Sequence, residues 1–202
     1  ENALGGFGWY FSKLRVNPFN ANDLTILGVE LHNSLDGGQT WSLMNPDWWT
    51  YEVHADKHDL VWLGANEAII ATDGGAYRTT NHGSTWSDIE DLPVSQFYHV
   101  TWNPHDPGVY TGGAQDNGTT TGSFEDLSGW TRDLGGDGFV AAFHPEDPFM
   151  RFAEYQYGGM RFSPTGPGEW PEWQDFTLGI ADGERIAWDA PYMLHPADPS
   201  KA

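Results

Sequence analysis

The 202-residue chain contains no cysteine. That absence excludes disulfide staples, thiolate metal sites and cysteine nucleophiles. It leaves secretion open, because a chain of this size can bury enough core without cross-links. Basic residues are scarce: 9 lysines and arginines stand against 29 aspartates and glutamates, a formal net charge of −20. A phosphate backbone has to be met by a basic patch, which argues against nucleic acid as a partner. The same balance argues against an anionic membrane surface, and suits cationic or neutral ligands. No uninterrupted apolar run approaches the ~20 residues of a membrane helix, and none sustains helical periodicity. The opening residues ENALGGFGWYF lack the basic start and apolar stretch of a signal peptide. A signal already removed, or one lying upstream, is compatible with that.

What the chain does have is aromatic and turn-forming. It is 39% hydrophobic and 15% aromatic, too apolar for a disordered acidic tail. It carries 25 glycines, 13 prolines and 11 tryptophans. Short aromatic and β-branched runs alternate with Gly, Pro, Asn and Asp, the pattern of an all-β chain.

An internal repeat organises these runs. Trp41, Trp86, Trp130 and Trp170 follow one another at intervals of 45, 44 and 40 residues. Each has a hydroxyl residue seven positions earlier, at Ser34, Thr79, Ser123 and Ser163. The first copy runs Ser34-Leu35-Asp36-Gly37-Gly38-Gln39-Thr40-Trp41; the second replaces Asp by Asn81 and keeps Thr79, Gly83, Thr85 and Trp86. The third and fourth, SFEDLSGW and SPTGPGEW, keep only the ends. A second marker shares the period: Asn17-Pro18, Asn103-Pro104, His144-Pro145 and His195-Pro196 each close an apolar run. In the unit that skips it, Gly64-Ala65-Asn66 takes the place of the proline. The second unit resolves into four strands, at 53–63, 68–72, 76–80 and 85–89, with Asp73-Gly74-Gly75 as the tight turn between the middle two. A unit of ~40–45 residues with four strands is a propeller blade.

The pattern S-x-D-x-G-x-T-W resembles the BNR or Asp-box repeat. The phrases HADKHDLVW, ATDGGAYRTTNHGSTW, GGAQDNGT and GGDGFVAAFHPEDP resemble the sortilin-type propeller and the related propellers of xyloglucan-cleaving glycoside hydrolases. The expected fold is all-β: a single partial propeller, an arc of about four four-stranded blades near 7–46, 51–92, 96–133 and 137–178, plus one extra strand opening a further blade at 184–202. Propellers of the resembled families have more than four blades, which makes this chain a fragment of a longer protein or one open arc of a ring. The families include receptors, assembly factors and glycosidases, so fold alone does not select an activity.

In the Asp boxes, Ser34, Asp36, Gly38, Thr40 and Trp41, with Thr79, Asn81, Gly83, Thr85 and Trp86, are expected to be structural. Asp36 accepts hydrogen bonds from its own turn and the two tryptophans fill space between units. In a four-stranded meander the turn between strands two and three lies at the same end as the start of strand one. Groups at these two places should crowd one mouth. They are His54, Asp56 and Asp73 in the second unit, Gln96, Tyr98, Gln115, Asp116 and Asn117 in the third, and Asp137, Tyr155, Gln156 and Tyr157 in the fourth. Acids and amides interleaved with aromatics suit a sugar: rings stack on apolar faces and polar tips read hydroxyls. Asp116, Asp137 and Asp73 are the candidate catalytic carboxylates, since glycoside hydrolysis needs a pair about 5–5.5 Å apart for retention or about 6.5–9.5 Å for inversion. Each also sits in a turn dipeptide or beside one, which gives it a structural alternative. Period two puts His54, Asp56 and His58 on one strand face, where two imidazoles and a carboxylate are candidate metal ligands. Same-face neighbours about 7 Å apart would need a bend to meet one ion, so an inter-blade hydrogen-bond network is the alternative. Trp48-Trp49 is either a ligand platform or a hydrophobic plug.

Two functions compete. One is a binding or scaffold propeller, extracytoplasmic (secreted, periplasmic or at the cell surface), whose acidic mouth meets a glycan or a protein. The other is a glycoside hydrolase, or part of one, acting on a β-glucan or xyloglucan-like polysaccharide. No cofactor is required by either; calcium held by HADKH or the Asp-Gly turns is a third, metal-stabilised reading.

Overall fold

The computed structural model describes residues 4, 6–11, 13–44, 53–89, 92, 94–166, 172–181, 183–195 and 198. It divides into two compact units, Glu1–Val94 and Ser95–Ala202. Among the described residues the regular structure is entirely β, and no helix is long and apolar enough to cross a membrane.

The first unit holds two four-stranded antiparallel meanders. One is β1 (Lys13–Asn17), β2 (Asn20–Leu27), β3 (Leu31–Ser34) and β4 (Ser42–Leu43), in that spatial order. The other is β5 (Lys57–Trp62), β6 (Ala68–Thr72), β7 (Gly75–Thr79) and β8 (Ser87–Asp88). The second unit repeats the plan with β9 (His99–Asn103), β10 (Asp106–Ala114), β11 (Gly118–Ser123) and β12 (Thr131–Leu134). Then come β13 (Ala141–Phe143), β14 (Arg151–Tyr155), β15 (Gly159–Ser163) and β16 (Gln174–Asp175). These are propeller-type blades, one per sequence repeat. The second blade follows the sequence reading closely, with Ala68–Thr72 matched residue for residue and its outer strand shorter than the 85–89 expected.

Period-two burial explains which face of each sheet is covered. On β2, Asp23, Thr25 and Leu27 are buried while Leu24 and Ile26 are only partly so. Leu27 and Leu31 join Met44, Val53, Leu60, Trp62, Ala68, Ile70, Tyr77 and Trp86 in one apolar cluster shared by the two sheets of the first unit. In the second unit Phe139, Ala141, Phe143, Phe152 and Ala153 are buried.

Polar links cross each seam. Arg15 on β1 donates to Asp59 on β5 through Nε at 2.9 Å and through a terminal nitrogen at 2.6 Å. Lys57 has a fully buried side chain, and its Nζ donates to the Val29 carbonyl at 2.6 Å, with Glu30 at 3.4 Å. His82 stacks on Trp62 and its Nε2 meets the buried Asp23 at 2.7 Å, while Asn17 donates to the same carboxylate oxygen at 2.6 Å. In the second unit Arg151 on β14 donates to Asp133 on β12 at 2.7 Å, both nearly buried. The Thr121 hydroxyl donates to the same Asp133 oxygen, and the guanidinium lies over the Trp173 ring.

Two sequence markers have plain local causes. In three of these markers the Asn or His before the proline accepts the N–H two residues on: Asn17 from Phe19 at 3.0 Å, Asn103 from His105 at 2.9 Å, and His144 through Nδ1 from Glu146 at 3.1 Å. Either residue offers an acceptor at the same reach, so the two interchange. Between β3 and β4, Asp36 accepts from the Ser34 hydroxyl, the Gln39 and Thr40 amides and the Thr40 hydroxyl, at 2.6–2.9 Å. Those bonds, led by the Thr40 hydroxyl, hold its carboxyl far below the usual carboxylate range. Asn81 repeats the pattern with Thr79 and Thr85.

Of the segment 184–202, expected to open a further blade, the described residues 184–195 and 198 form no ladder. Trp48-Trp49, Trp170 and Pro196 lie outside the described residues.

The two tryptophans expected as plugs differ. Trp86 is 7% exposed within the shared core, whereas Trp41 is half-buried and donates its indole N–H to Gly38 O. Trp86→Ala should therefore cost about 3–5 kcal/mol, and Trp41→Ala about 1–2 kcal/mol, a truncation in a half-exposed site. Urea unfolding of the two variants checks the order.

Candidate functional site

The turn between the second and third strands, together with the approach to the first, gathers the predicted polar residues within each unit. In the first unit these are His54, Asp56, His58 and Asp73. The β5 strand starts only at Lys57, its register is broken between Lys57 and Asp59, and Asp56 has a left-handed backbone with φ 62°. The expected period-two face of His54, Asp56 and His58 is therefore not formed; the bulge and the positive φ re-aim each side chain. His54 Nδ1 faces the Ala55 carbonyl at 3.1 Å, and its ring fills the space over Gly74, where any Cβ would overlap it. His58 Nε2 pairs with Asp73 instead. The two imidazoles thus face different partners.

Asp56 and Asp73 do come together: their carboxylate oxygens approach within 4.8 Å, and the Asp73 amide donates to the Asp56 carbonyl. Burial, reinforced by the Asp73 charge, pushes the Asp56 carboxyl up from its ordinary value. This leaves one carboxyl that holds its proton more tightly than usual beside an exposed aspartate paired with a histidine. Such a pair can serve as an acid and a base, or share a cation. Rings from the N-terminal segment, Tyr10 and Phe11, lie against His58 with centroids 6.1 and 5.7 Å away.

In the second unit the β10–β11 turn, the approach to β13 and the β14–β15 turn meet. Asp137, 8% exposed, accepts from the Asp116 amide at 2.8 Å through one oxygen and from the Gln156 side-chain amide at 2.5 Å through the other. The backbone contact is close because the sequence is glycine there: a Cβ on Gly113 or Gly138 would run into the other segment's backbone. Asp116 (φ 60°) and Tyr157 (φ 61°) both adopt left-handed backbone in their turns, a conformation that concentrates at functional turns in non-glycine residues.

Tyr98 is 46% exposed, lies nearly parallel to Phe139 at 5.5 Å, and donates its hydroxyl to Gln115 Oε1 at 2.6 Å. Burial and the charges of Asp137, Asp116 and Asp189 push its phenol up. Asn117 donates to the Gln115 carbonyl and Gln96 is exposed nearby in sequence. Tyr157 is exposed; Tyr155 is covered by the Arg161 guanidinium, 5.3 Å from its ring centroid.

Sequence reasoning missed Lys57, Glu154, Arg151 and Asp133. Lys57 stands among the polar residues His54, Asp56, His58 and Asp59, where nothing marks it as the buried cation. Glu154 is completely buried on β14.

No protein-family model matches the chain, and no curated protein matches it. Among solved structures it is similar to an ancestral GH74 enzyme, at 19% identity and TM-score 0.34, over 84% of this chain and 26% of that one. It is also similar to the GH74 xyloglucanase from Xanthomonas campestris, at 15% identity and TM-score 0.36, over 83% of this chain and 31% of that one. A third likeness is to YCF48 bound to D1 peptide, at 20% identity and TM-score 0.32, over 82% of this chain and 54% of that one. The chain thus spans about a quarter to a half of each of these proteins.

Asp137→Ala removes the acceptor of a close backbone amide and of Gln156. It should destabilise the second unit by about 1–3 kcal/mol, read as a lower urea midpoint, with Asp137→Asn, which keeps one acceptor, falling between it and the parent.

Proposed function

We propose that the chain is a stretch of an Asp-box propeller of the sortilin and xyloglucanase type, its four blades belonging to one partial domain. It acts as a glycan- or protein-binding scaffold outside the cytoplasm, with the rim of the second unit as the contact surface. The observation that carries this reading is Asp137. Both of its oxygens are already engaged by protein N–H donors, which suits a carboxylate that shapes a rim and does not suit one that exchanges protons with a substrate. Around it, Tyr98 offers an exposed ring backed by Phe139, and Gln115, Asn117 and Tyr157 offer polar edges. Regular Asp36 and Asn81 turns support the repeat identity. The net charge of −20 supports a neutral or cationic partner.

A second reading, glycoside hydrolysis, is favoured by one observation: the Asp56–Asp73 pair within 4.8 Å, with burial pushing the Asp56 carboxyl up. In that reading Asp56 protonates the leaving oxygen and Asp73 serves as base or nucleophile. Asp116 keeps the backbone role its φ gives it.

Calorimetry with xyloglucan oligosaccharides, alongside a reducing-sugar assay, separates the two. Binding without turnover, weakened about tenfold by Tyr98→Ala, is the expected result. Turnover abolished by Asp56→Asn and Asp73→Asn would transfer the function to the second reading.

A further inference from the structure

The second unit twice builds the same three-part contact. The Arg151 guanidinium lies over the Trp173 ring, 5.6 Å from its centroid, and donates to Asp133 at 2.7 Å. The Arg161 guanidinium lies over the Tyr155 ring at 5.3 Å and meets Asp175 at 2.6 Å. In each, a planar cation rests on the electron-rich face of an aromatic ring while a carboxylate takes its N–H groups.

The rim around Tyr98 has the ring and the carboxylates of such a contact without the cation. Tyr98 is 46% exposed, and the buried Phe139 stacks nearly parallel to it at 5.5 Å. One face of the phenol ring is therefore covered. Trp188 stands nearly perpendicular to both rings, 4.8 Å from Phe139 and 6.1 Å from Tyr98. Those distances set it beside the stack, since a ring on the outer face of Tyr98 would be much farther from Phe139. The outer face of Tyr98 carries its exposure, and among the described residues no arginine or lysine lies over it.

The charge around this face has one sign. The Tyr98 hydroxyl donates to Gln115, whose neighbour Asp116 donates its amide to Asp137. Asp137 accepts from uncharged amides, which orient its charge without cancelling it. Burial pushes the Tyr98 phenol up, and the charges that add to this, those of Asp137, Asp116 and Asp189, are all negative. A neutral sugar could stack on the ring but would gain nothing from that field, whereas a cation gains from both. A guanidinium suits the place better than an ammonium, because it is flat enough to stack and forked enough to pair with a carboxylate at the same time.

We propose that the Tyr98 rim of the second unit captures an arginine side chain of a partner protein, the guanidinium lying on the outer face of Tyr98 and pairing with the Asp116 carboxylate. This rests on the binding role proposed above and narrows its ligand from glycan or protein to a protein segment that presents arginine.

Titration of the whole chain with a capped Ser-Gly-Arg-Gly-Ser peptide, and with its citrulline counterpart, tests this through the amide shifts of residues 96–99 and 115–118. Citrulline keeps the shape of arginine and loses the charge. The arginine peptide should move these amides and bind about tenfold more tightly than the citrulline peptide. Tyr98→Leu, which keeps an apolar side chain and removes the ring, should cost the arginine peptide about tenfold, and Asp116→Asn about threefold. Equal affinity for the two peptides in the parent chain overturns the proposal, whether or not either variant folds. So does unchanged arginine affinity in Tyr98→Leu, which would assign the attraction to the general negative charge of the chain. If xyloglucan oligosaccharides move the same amides while the arginine peptide binds no better than citrulline, this proposal falls and the binding role stands. If neither ligand moves them, both fall.

Discussion

A four-stranded meander has two faces and no layer of its own to cover either. Its neighbour in sequence has to supply the cover, and the rest of this structure depends on that constraint. In the first unit, Leu27 and Leu31 are dry only because Leu60, Trp62 and Ile70 come from the next repeat. This makes the repeat period a physical quantity: each ~40–45-residue copy is one sheet, and one sheet is insufficient alone. Turns become narrow in chemistry for the same reason. Asp36 satisfies its own turn, leaving the strands on either side free to be spent on packing.

The seams are not purely apolar. A lysine, two arginines, a histidine and their carboxylates cross them. Charges of this kind contribute little net stability compared with hydrophobic groups of equal volume, but a partner removed leaves the other stranded. They therefore discriminate between alignments: a sheet displaced by one residue would leave Asp133 or Lys57 buried without its counterpart. The apolar cluster supplies the attraction, and the ion pairs fix which residues face each other.

The fold was legible in the sequence because turn chemistry recurs at a fixed period. The Trp-ended boxes and the Asn-Pro or His-Pro turns are local, and local rules predict them. Legibility ended where one segment's geometry is set by another. HADKH reads as a regular strand, but the bulge after Lys57 and the positive φ at Asp56 come from docking on residues 28–30 and on the turn at Asp73. The grouping of Gln115, Asp116, Asp137 and Gln156 at one rim could be anticipated from meander geometry. That Asp137 spends both oxygens on neighbours could not, since that depends on how close two glycine-bearing segments come. Glu154 and Lys57 gave no signal, because burial of a charge is a property of the packed pair of sheets.

Consecutive sheets within a unit are held in register by specific polar contacts across an apolar seam. A double-mutant cycle on Asp133 and Arg151, using Asp133→Ala, Arg151→Ala and the pair, measures it most directly. A coupling of about 1–3 kcal/mol is expected in urea unfolding, as befits a buried pair in direct contact. Additive losses, with coupling within about 0.3 kcal/mol of zero, would mean that β12 and β14 do not meet through these side chains, and would contradict the packing of the second unit described above.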